Sequence, residues 1–223
     1  MRRPGGRQLL PRPAQWRELE HAPWSRLNLS ALDDLDAIEK SLNQRQPDPD
    51  SQIPPSHAHP SAVLVPLFAD SGEPRVLLTR RSEALNSHKG QIAFPGGRLE
   101  PGETSLDAAV RETREEIGLD VSTARVIGEL PAHRTISSSS HIVPHVVRMA
   151  SAPTHFQLNE EVERVFSVSL RELVRPDTFA HEHWVFPDRE VVVPMFYLDD
   201  ETIWGATARM LQELILISVS ASH

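Results

Sequence analysis

Three glutamates, Glu112, Glu115 and Glu116, lie within the short stretch RETREEIGL. On a helix, with about 100° of rotation per residue, Glu112 and Glu116 lie one turn apart on one side, with Glu115 beside them. Like charges on neighbouring turns repel by roughly 0.2–0.5 kcal/mol per pair. Hard carboxylate oxygens in this number suit Mg²⁺ or Mn²⁺, which would neutralise them. The alternative is a solvated acidic helix face.

A helix between Thr104 and Gly118 must position these carboxylates. Thr104 is a good N-cap with Asp107 at the capping-box position, and Gly118 is a typical helix-ending residue. The predicted buried stripe consists of Leu106, Ala109, Val110, Thr113 and Ile117. All three glutamates are therefore expected off the buried face. The run QIAFPGG precedes the helix, and its Pro-Gly-Gly turn lets the backbone come close to a ligand.

The stretch from Gly97 to Leu119 resembles the Nudix box, G-x5-E-x7-R-E-U-x-E-E-x-G-U, in which U is apolar. The matching positions are Gly97, Glu103, Arg111, Glu112, Glu115, Glu116, Gly118 and Leu119. Thr113 departs from the pattern, because an apolar residue is usual there. The resemblance implies an α/β protein, a Nudix-type α/β/α sandwich with a mixed β-sheet. It also implies hydrolysis of a nucleoside diphosphate linked to another group.

The resemblance also implies roles for the matching residues. Glu112 and Glu116 would be the main metal ligands, helped by the backbone of Gly97, and Glu115 would be a further ligand or the general base. The implied catalytic residues are Glu115, Glu116 and Arg111, which would orient the carboxylates, with Glu103 as a further candidate. The expected cofactor is Mg²⁺ or Mn²⁺, which polarises phosphoryl oxygens and lowers the pKa of bound water.

The stretch just before the box, LLTRRSEALNSHKGQIAFPGG, resembles the signature of the coenzyme A pyrophosphatase branch, roughly L-L-T-x-R-S-x3-R-x3-G-x3-F-P-G-G. Asn86 replaces the second arginine. The resemblance implies cleavage of coenzyme A or acyl-coenzyme A to 4′-phosphopantetheine, or its acyl form, and adenosine 3′,5′-bisphosphate. The alternatives are another nucleoside diphosphate derivative, such as ADP-ribose or a dinucleoside, and a non-catalytic Nudix-fold binding module.

Coenzyme A carries a pyrophosphate and a 3′-phosphate, so its site needs cations. Strand alternation places Arg80 and Arg81 on opposite faces, and the signature favours Arg81 for the site. Arg80 is expected to be an exposed solubilising charge, and Lys89 is either a phosphate contact or a surface charge. The predicted substrate-binding residues are Arg81, Thr79, Lys89 and Gly96. Glu161, in NEEVERVFSVSL, resembles an acidic residue that faces the metal site in the family.

Three histidines flank a serine-rich loop, at His133, His141 and His145. With no second ligand at a fixed spacing, each is expected to be a surface residue or a hydrogen-bonded core residue rather than a substrate contact.

The chain divides into an N-terminal extension, residues 1–60, and a predicted Nudix hydrolase domain, residues 61–218. The extension holds one amphipathic helix, with Ser30 as its expected N-cap, between two proline-rich stretches. From Ser61 onwards the pattern predicts strands and helices in a mixed sheet, with a hairpin turning at Pro187-Asp188.

Composition limits the function classes. The chain has 223 residues, no cysteine and a formal charge of −8, so thiolate chemistry is excluded and binding to polymeric nucleic acid is disfavoured. Apolar runs fall short of the roughly 20 residues of a membrane span. We expect a small-molecule hydrolase of the cytoplasm that does not associate with membranes, and a homodimer is left open.

Overall fold

A computed structural model describes residues 2–45, 58–134 and 139–220. The helices are α1 Leu35–Asn43, α2 Ser105–Ile117, α3 Leu170–Leu173 and α4 Gly205–Ser220. The strands are β1 Gln15–Leu19, β2 His59–Asp70, β3 Glu73–Arg81, β4 Ile92–Ala93, β5 Gly96–Arg98, β6 Arg125–Glu129, β7 His133–Arg134, β8 Ser140–Arg148, β9 Val162–Ser169, β10 Phe179–Val185, β11 Glu190–Tyr197 and β12 Thr202–Ile203. None of the described helices is both long and apolar enough to cross a membrane.

The larger sheet has the order β4-β3-β2-β8-β6, and β5, β7 and β9 pair with β2, β8 and β3. Strands β2 and β8 run parallel, whereas the other pairs are antiparallel, so the sheet is mixed as predicted. A hairpin joins β2 to β3 through Ser71 and Gly72, which have φ values of 54° and 83°. Positive φ at both loop residues matches the right-handed twist of the strands.

Helices cover both faces of this sheet because its strands alternate. On β2, Leu64 packs beneath α2 together with Ala109 and Ile117. Val65, its neighbour, faces the opposite core, which it shares with Leu211 of α4. Helix α2 thus forms one outer layer, and α1 with α4 forms the other, in the α/β/α arrangement that the sequence resemblance implies.

A second, four-stranded sheet has the order β1-β10-β11-β12. The predicted hairpin of β10 and β11 turns at Pro187-Asp188, where the Phe186 amide donates to the Arg189 carbonyl at 2.8 Å. Strand β1 has no local signal in residues 15–19, and it is stabilised by pairing with β10, far along the chain, as in Trp16 opposite Trp184.

Helix α1 begins later than expected. Ser30 opens a short 3-10 turn, Ser30–Asp33, and the N-cap of α1 is Asp34, whose carboxylate accepts the Asp36 amide at 2.8 Å. An extended backbone at Asp34 separates the two segments, so Ser30 is not the N-cap of α1. Ile38 and other apolar residues of α1 lie in the core formed with α4. The division near residue 60 remains a prediction, and most of the predicted proline-rich linker, residues 46–57, is outside the described residues.

Candidate active site

Helix α2 begins and ends where its sequence predicts. The Thr104 hydroxyl accepts the Asp107 amide at 3.2 Å and caps the N-terminus. Gly118 ends the helix with φ of +66°, a left-handed conformation that glycine adopts readily, and its amide donates to the Arg114 carbonyl at 2.9 Å. These local signals fix the direction in which the three glutamates project.

Glu116 is buried, with 4% of its surface exposed. It was expected off the buried face, and that expectation is wrong because the β5 turn folds over this side of the helix. The carboxylate accepts the Gly96 amide at 3.1 Å and lies 3.7 Å from Nη1 of Arg81. Burial raises the pKa of Glu116 to about 7, although the Gly96 amide and Arg81 act in the opposite direction.

The Pro-Gly-Gly turn brings bare backbone against these carboxylates. Gly96 has φ of +146°, and a side chain there would overlap the Ala62 carbonyl. A Cβ atom on Gly97 would lie 2.5 Å from Cδ of Glu112. The backbone of this turn therefore approaches the carboxylate of Glu112, and its approach to a ligand stays a prediction.

Arg111 compensates the negative charge of the cluster. Its guanidinium donates two hydrogen bonds to Glu103, at 2.7 and 3.0 Å, and forms ion pairs with Glu112 at 3.1 Å and Glu115 at 3.2 Å. The hydrogen bonds from Arg111 lower the pKa of Glu103 to about 2. Glu103 and Arg111 thus brace the cluster, and this explains how the repelling carboxylates are tolerated on one helix.

The three box glutamates differ in their access to solvent. The exposed fraction of the side chain is 58% for Glu115, 23% for Glu112 and 6% for Glu116. Across residues 2–45, 58–134 and 139–220, no three acidic or histidine side chains converge as a preformed ligand set for a metal ion. Each box carboxylate is instead turned towards an arginine or a backbone amide.

Arg81 lies on the side of β3 that faces α2. Its Nη2 atom lies 3.1 Å from the carboxylate of Glu161, so the structure brings Arg81, Glu116 and Glu161 together. The segment carrying Glu161 docks on the end of α2, where the Asn159 amide donates to the Glu116 carbonyl at 3.0 Å and the Asn159 side chain accepts the Glu161 amide. The sequence contains no local signal for this docking.

Thr79 and Lys89 are not brought into this cluster. Thr79 is 2% exposed, and its hydroxyl donates to the Ala93 carbonyl at 3.1 Å, so its side chain links β3 to β4. A substrate contact through Thr79 stays a prediction. Lys89 is exposed on the loop after β3 and forms no ion pair within the described part of the chain. Gly96 lies in the cluster through its amide.

Arg80 points away from α2, as strand alternation requires, but it is not an exposed solubilising charge. It forms ion pairs with Glu83, Glu163 and Glu201, and its side chain is 17% exposed. Glu201 lies on the chain between β11 and β12, 121 residues away, and nothing in the local sequence indicates this contact.

Of the three histidines, His145 is a hydrogen-bonded core residue as expected, whereas the buried ring nitrogens of His141 have no hydrogen-bond partner among the described residues. His145 is 3% exposed, and its Nε2 lies 2.9 Å from the hydroxyl of Ser105, the first residue of α2. Burial lowers the pKa of His145 and of His133 to about 4. His141 is also buried. Residues 135–138 of the serine-rich loop are outside the described residues.

A family model described as the NUDIX domain matches residues 58–189, a span that includes β2, the Pro-Gly-Gly turn and α2. The chain belongs to the Nudix family. A protein named uncharacterized Nudix hydrolase NudL from Yersinia enterocolitica is 36% identical over 174 residues, covering 76% of this chain and 86% of the relative. The NudL protein of Yersinia pestis is 34% identical over 177 residues, covering 75% and 86%.

Among solved structures, this Nudix hydrolase is similar to a MutT/nudix family protein from Enterococcus faecalis, with 18% identity, a TM-score of 0.47 and coverage of 83% and 73% of the two chains. It is also similar to an Ap4A hydrolase from C. elegans, with 20% identity, a TM-score of 0.44 and coverage of 50% and 80%. Nudix membership makes the protein a pyrophosphohydrolase that acts on a small nucleoside diphosphate derivative.

Proposed function

We propose that this Nudix hydrolase is a coenzyme A diphosphatase, which cleaves the pyrophosphate of coenzyme A or acyl-coenzyme A. The observation that carries the proposal is the signature from Leu77 to Gly97, whose Arg81 lies 3.7 Å from Glu116 of the Nudix box. A cation next to the buried carboxylate suits a substrate that brings phosphate groups to the same place. The products are 4′-phosphopantetheine, or its acyl form, and adenosine 3′,5′-bisphosphate.

Nudix hydrolases generally use divalent ions such as Mg²⁺ or Mn²⁺. The residues of this chain fit such an ion, because Glu116 is buried with a raised pKa and lacks a full counter-charge. Glu112 and Glu116 would hold the ion, with Glu115 and the Gly97 carbonyl as further ligands. When bound, a divalent ion polarises phosphoryl oxygens and lowers the pKa of bound water.

The side chains of this chain then have distinct roles. Arg81 binds a substrate phosphate, and Arg111 keeps Glu112 and Glu115 oriented through its own contact with Glu103. Glu115 is the candidate general base, since its exposed carboxylate can pass a proton from the attacking water to solvent. Glu161 and Glu116 both form ion pairs with Arg81, so Glu161 reduces the net positive charge beside the phosphate.

An alternative within the same reaction class is another nucleoside diphosphate derivative, such as ADP-ribose. Asn86 favours it, because this residue replaces the second arginine of the coenzyme A signature. A non-catalytic binding module is disfavoured, because Glu112, Glu115 and Glu116 are all retained.

The test is a comparison of kcat/KM for coenzyme A, acetyl-coenzyme A, dephospho-coenzyme A, ADP-ribose and diadenosine polyphosphates with Mg²⁺ or Mn²⁺, with products identified by mass spectrometry. Coenzyme A should exceed ADP-ribose. Dephospho-coenzyme A should be poorer than coenzyme A if a basic residue reads the 3′-phosphate. A kcat/KM for ADP-ribose equal to or above that for coenzyme A would contradict the proposed substrate but not the proposed class of reaction.

A further inference from the structure

Arg80 is held by three carboxylates on three different segments. Its guanidinium lies 2.9 Å from Glu201, 3.2 Å from Glu163 on β9, and 3.0 Å from Glu83 in the loop after β3. The side chain is 17% exposed, and that of Glu201 is 2% exposed. Such a three-way arrangement matches the fork of donors on a guanidinium and leaves Arg80 little rotational freedom.

Two of the three partners belong to the body of the protein. Glu201 also binds Arg164, at 2.7 Å, and accepts a hydrogen bond from Nε2 of the Gln8 side chain. The position of Arg80 is therefore fixed from the side of Glu163 and Glu201. Glu83 is the remaining partner, and it alone belongs to the loop between β3 and β4.

That loop, residues 82–91, starts and ends beside the candidate active site. The Ser82 amide donates to the carbonyl of Glu161 at 2.7 Å. At the other end, the Arg81 amide donates to the Gln91 carbonyl at 2.9 Å, and the Gly90 amide donates to the Arg81 carbonyl at 3.1 Å. A shift of the loop therefore changes the backbone hydrogen bonds of Arg81, the proposed phosphate ligand.

Gly90 shows how closely Glu83 is packed in the loop. A Cβ atom on Gly90 would overlap the Glu83 carboxylate and would lie 3.3 Å from Nη2 of Arg80. The carboxylate therefore lies between the guanidinium and the returning backbone of the loop. The exposed Lys89 directly precedes Gly90 on this loop.

We propose that Arg80 is a positioning residue: through Glu83 it holds the loop 82–91, whose two ends contact the backbone of Arg81 and Glu161, in the conformation in which Arg81 binds a substrate phosphate. The signature of the coenzyme A branch leaves this position open, so the assignment comes from the three ion pairs. It rests on the proposed function only for the identity of the substrate. The Glu83 side chain is 60% exposed, so its pair with Arg80 contributes little to folding, and its effect is expected in binding.

The test compares Arg80→Ala and Glu83→Gln with Arg164→Ala as the matched control. Arg164→Ala also removes a cation from Glu201 but leaves every contact of Arg80 in place. Hydrogen–deuterium exchange of the peptide spanning 82–91 reports the loop itself, without any substrate. Steady-state kinetics are then measured on whichever nucleoside diphosphate derivative the parent cleaves best.

In Arg80→Ala and Glu83→Gln, loop exchange should quicken about tenfold and KM should rise about 5- to 10-fold, with kcat within about threefold of the parent. Arg164→Ala should leave the loop exchange rate and KM at parental values. The Arg80→Ala/Glu83→Gln double variant should be no worse than Arg80→Ala, because both changes break one link. Arg80→Lys should restore part of the KM.

A Glu83→Gln variant with parental exchange and KM would overturn the proposal, as would an Arg164→Ala variant that matches Arg80→Ala. Either result would reduce Arg80 to a contributor to folding through Glu201. A parent that cleaves ADP-ribose better than coenzyme A overturns the substrate instead, and the exchange experiment still decides the role of Arg80.

Discussion

Arg81 of β3 lies 3.7 Å from Glu116 of α2 and 3.1 Å from Glu161, so one guanidinium joins the strand, the carboxylate helix and the segment before β9. Arg81 is thus paired with two carboxylates, of which Glu116 is buried. The excess negative charge of this cluster would be neutralised by a bound divalent ion or by protonation of Glu116.

Glu116→Gln should abolish metal-dependent activity while preserving the fold. Gln keeps the size of the side chain and removes a charge that is buried at a cost, so the metal-free variant should melt at or above the temperature of the parent. Activity should fall at least 10- to 100-fold, roughly the loss on disturbing a ligand's partner. Mg²⁺ or Mn²⁺ should raise the melting temperature of the parent more than that of the variant.

Glu73→Gln, at the far end of β3, is the control. An active variant with an unchanged metal-induced shift would return α2 to a solvated acidic face.

The stability of the metal-free protein should fall as the pH rises through about 7. Because the pKa of Glu116 is raised from 4.5 to about 7, the folded protein retains a proton that the unfolded chain releases at lower pH. The resulting stabilisation is complete below about pH 4.5 and is lost above pH 7, by at most about 3 kcal/mol. Urea unfolding in EDTA between pH 5 and 8.5 measures this change in the free energy of unfolding, with Glu116→Gln as the reference. Parallel curves for the two proteins would contradict the raised pKa.

Arg81→Ala should raise KM with a smaller change in kcat, because a phosphate contact present in both ground and transition states contributes uniform binding. Arg81 also lowers the pKa of Glu116, so its removal should raise that pKa and shift the acidic limb of the pH–rate profile to higher pH. Arg75→Ala, on the same strand, is the control and should do neither. A kinetically silent Arg81→Ala would remove this residue from the proposed site.

Gly97→Ala should weaken metal-dependent activity more than stability. The added methyl group would lie 2.5 Å from the Glu112 carboxylate, which is the mobile end of a side chain and can move aside. The fold should therefore persist while Glu112 leaves its position beside the turn. We expect at least about a tenfold loss of kcat/KM and a metal requirement shifted to higher concentration. Thermal melts in EDTA and metal titrations of activity measure the two effects. Parental kinetics would show that the position of Glu112 is unimportant.

Several features follow from short stretches of the sequence alone. Thr104 and Gly118 bound α2 because capping and a left-handed ending depend only on neighbouring residues. Ser71-Gly72 and Pro187-Asp188 mark two hairpin turns for the same local reason. Alternation along β3 predicts that Arg80 and Arg81 lie on opposite faces, and the resemblance of the upstream stretch to the coenzyme A signature favours Arg81 for the site.

Other features were decided by contacts between distant segments. Glu116 is buried because β5 folds over its side of α2, and helical periodicity carries no information about that strand. Residues 15–19 form β1 only by pairing with β10. Arg80 lies among carboxylates because the chain returns to it 121 residues later at Glu201. Local sequence determined the bounds of α2, the turns and the identity of the proposed metal ligands. Tertiary structure decided the burial, the charge and the partners of those residues, because these depend on which distant segments exclude water from them.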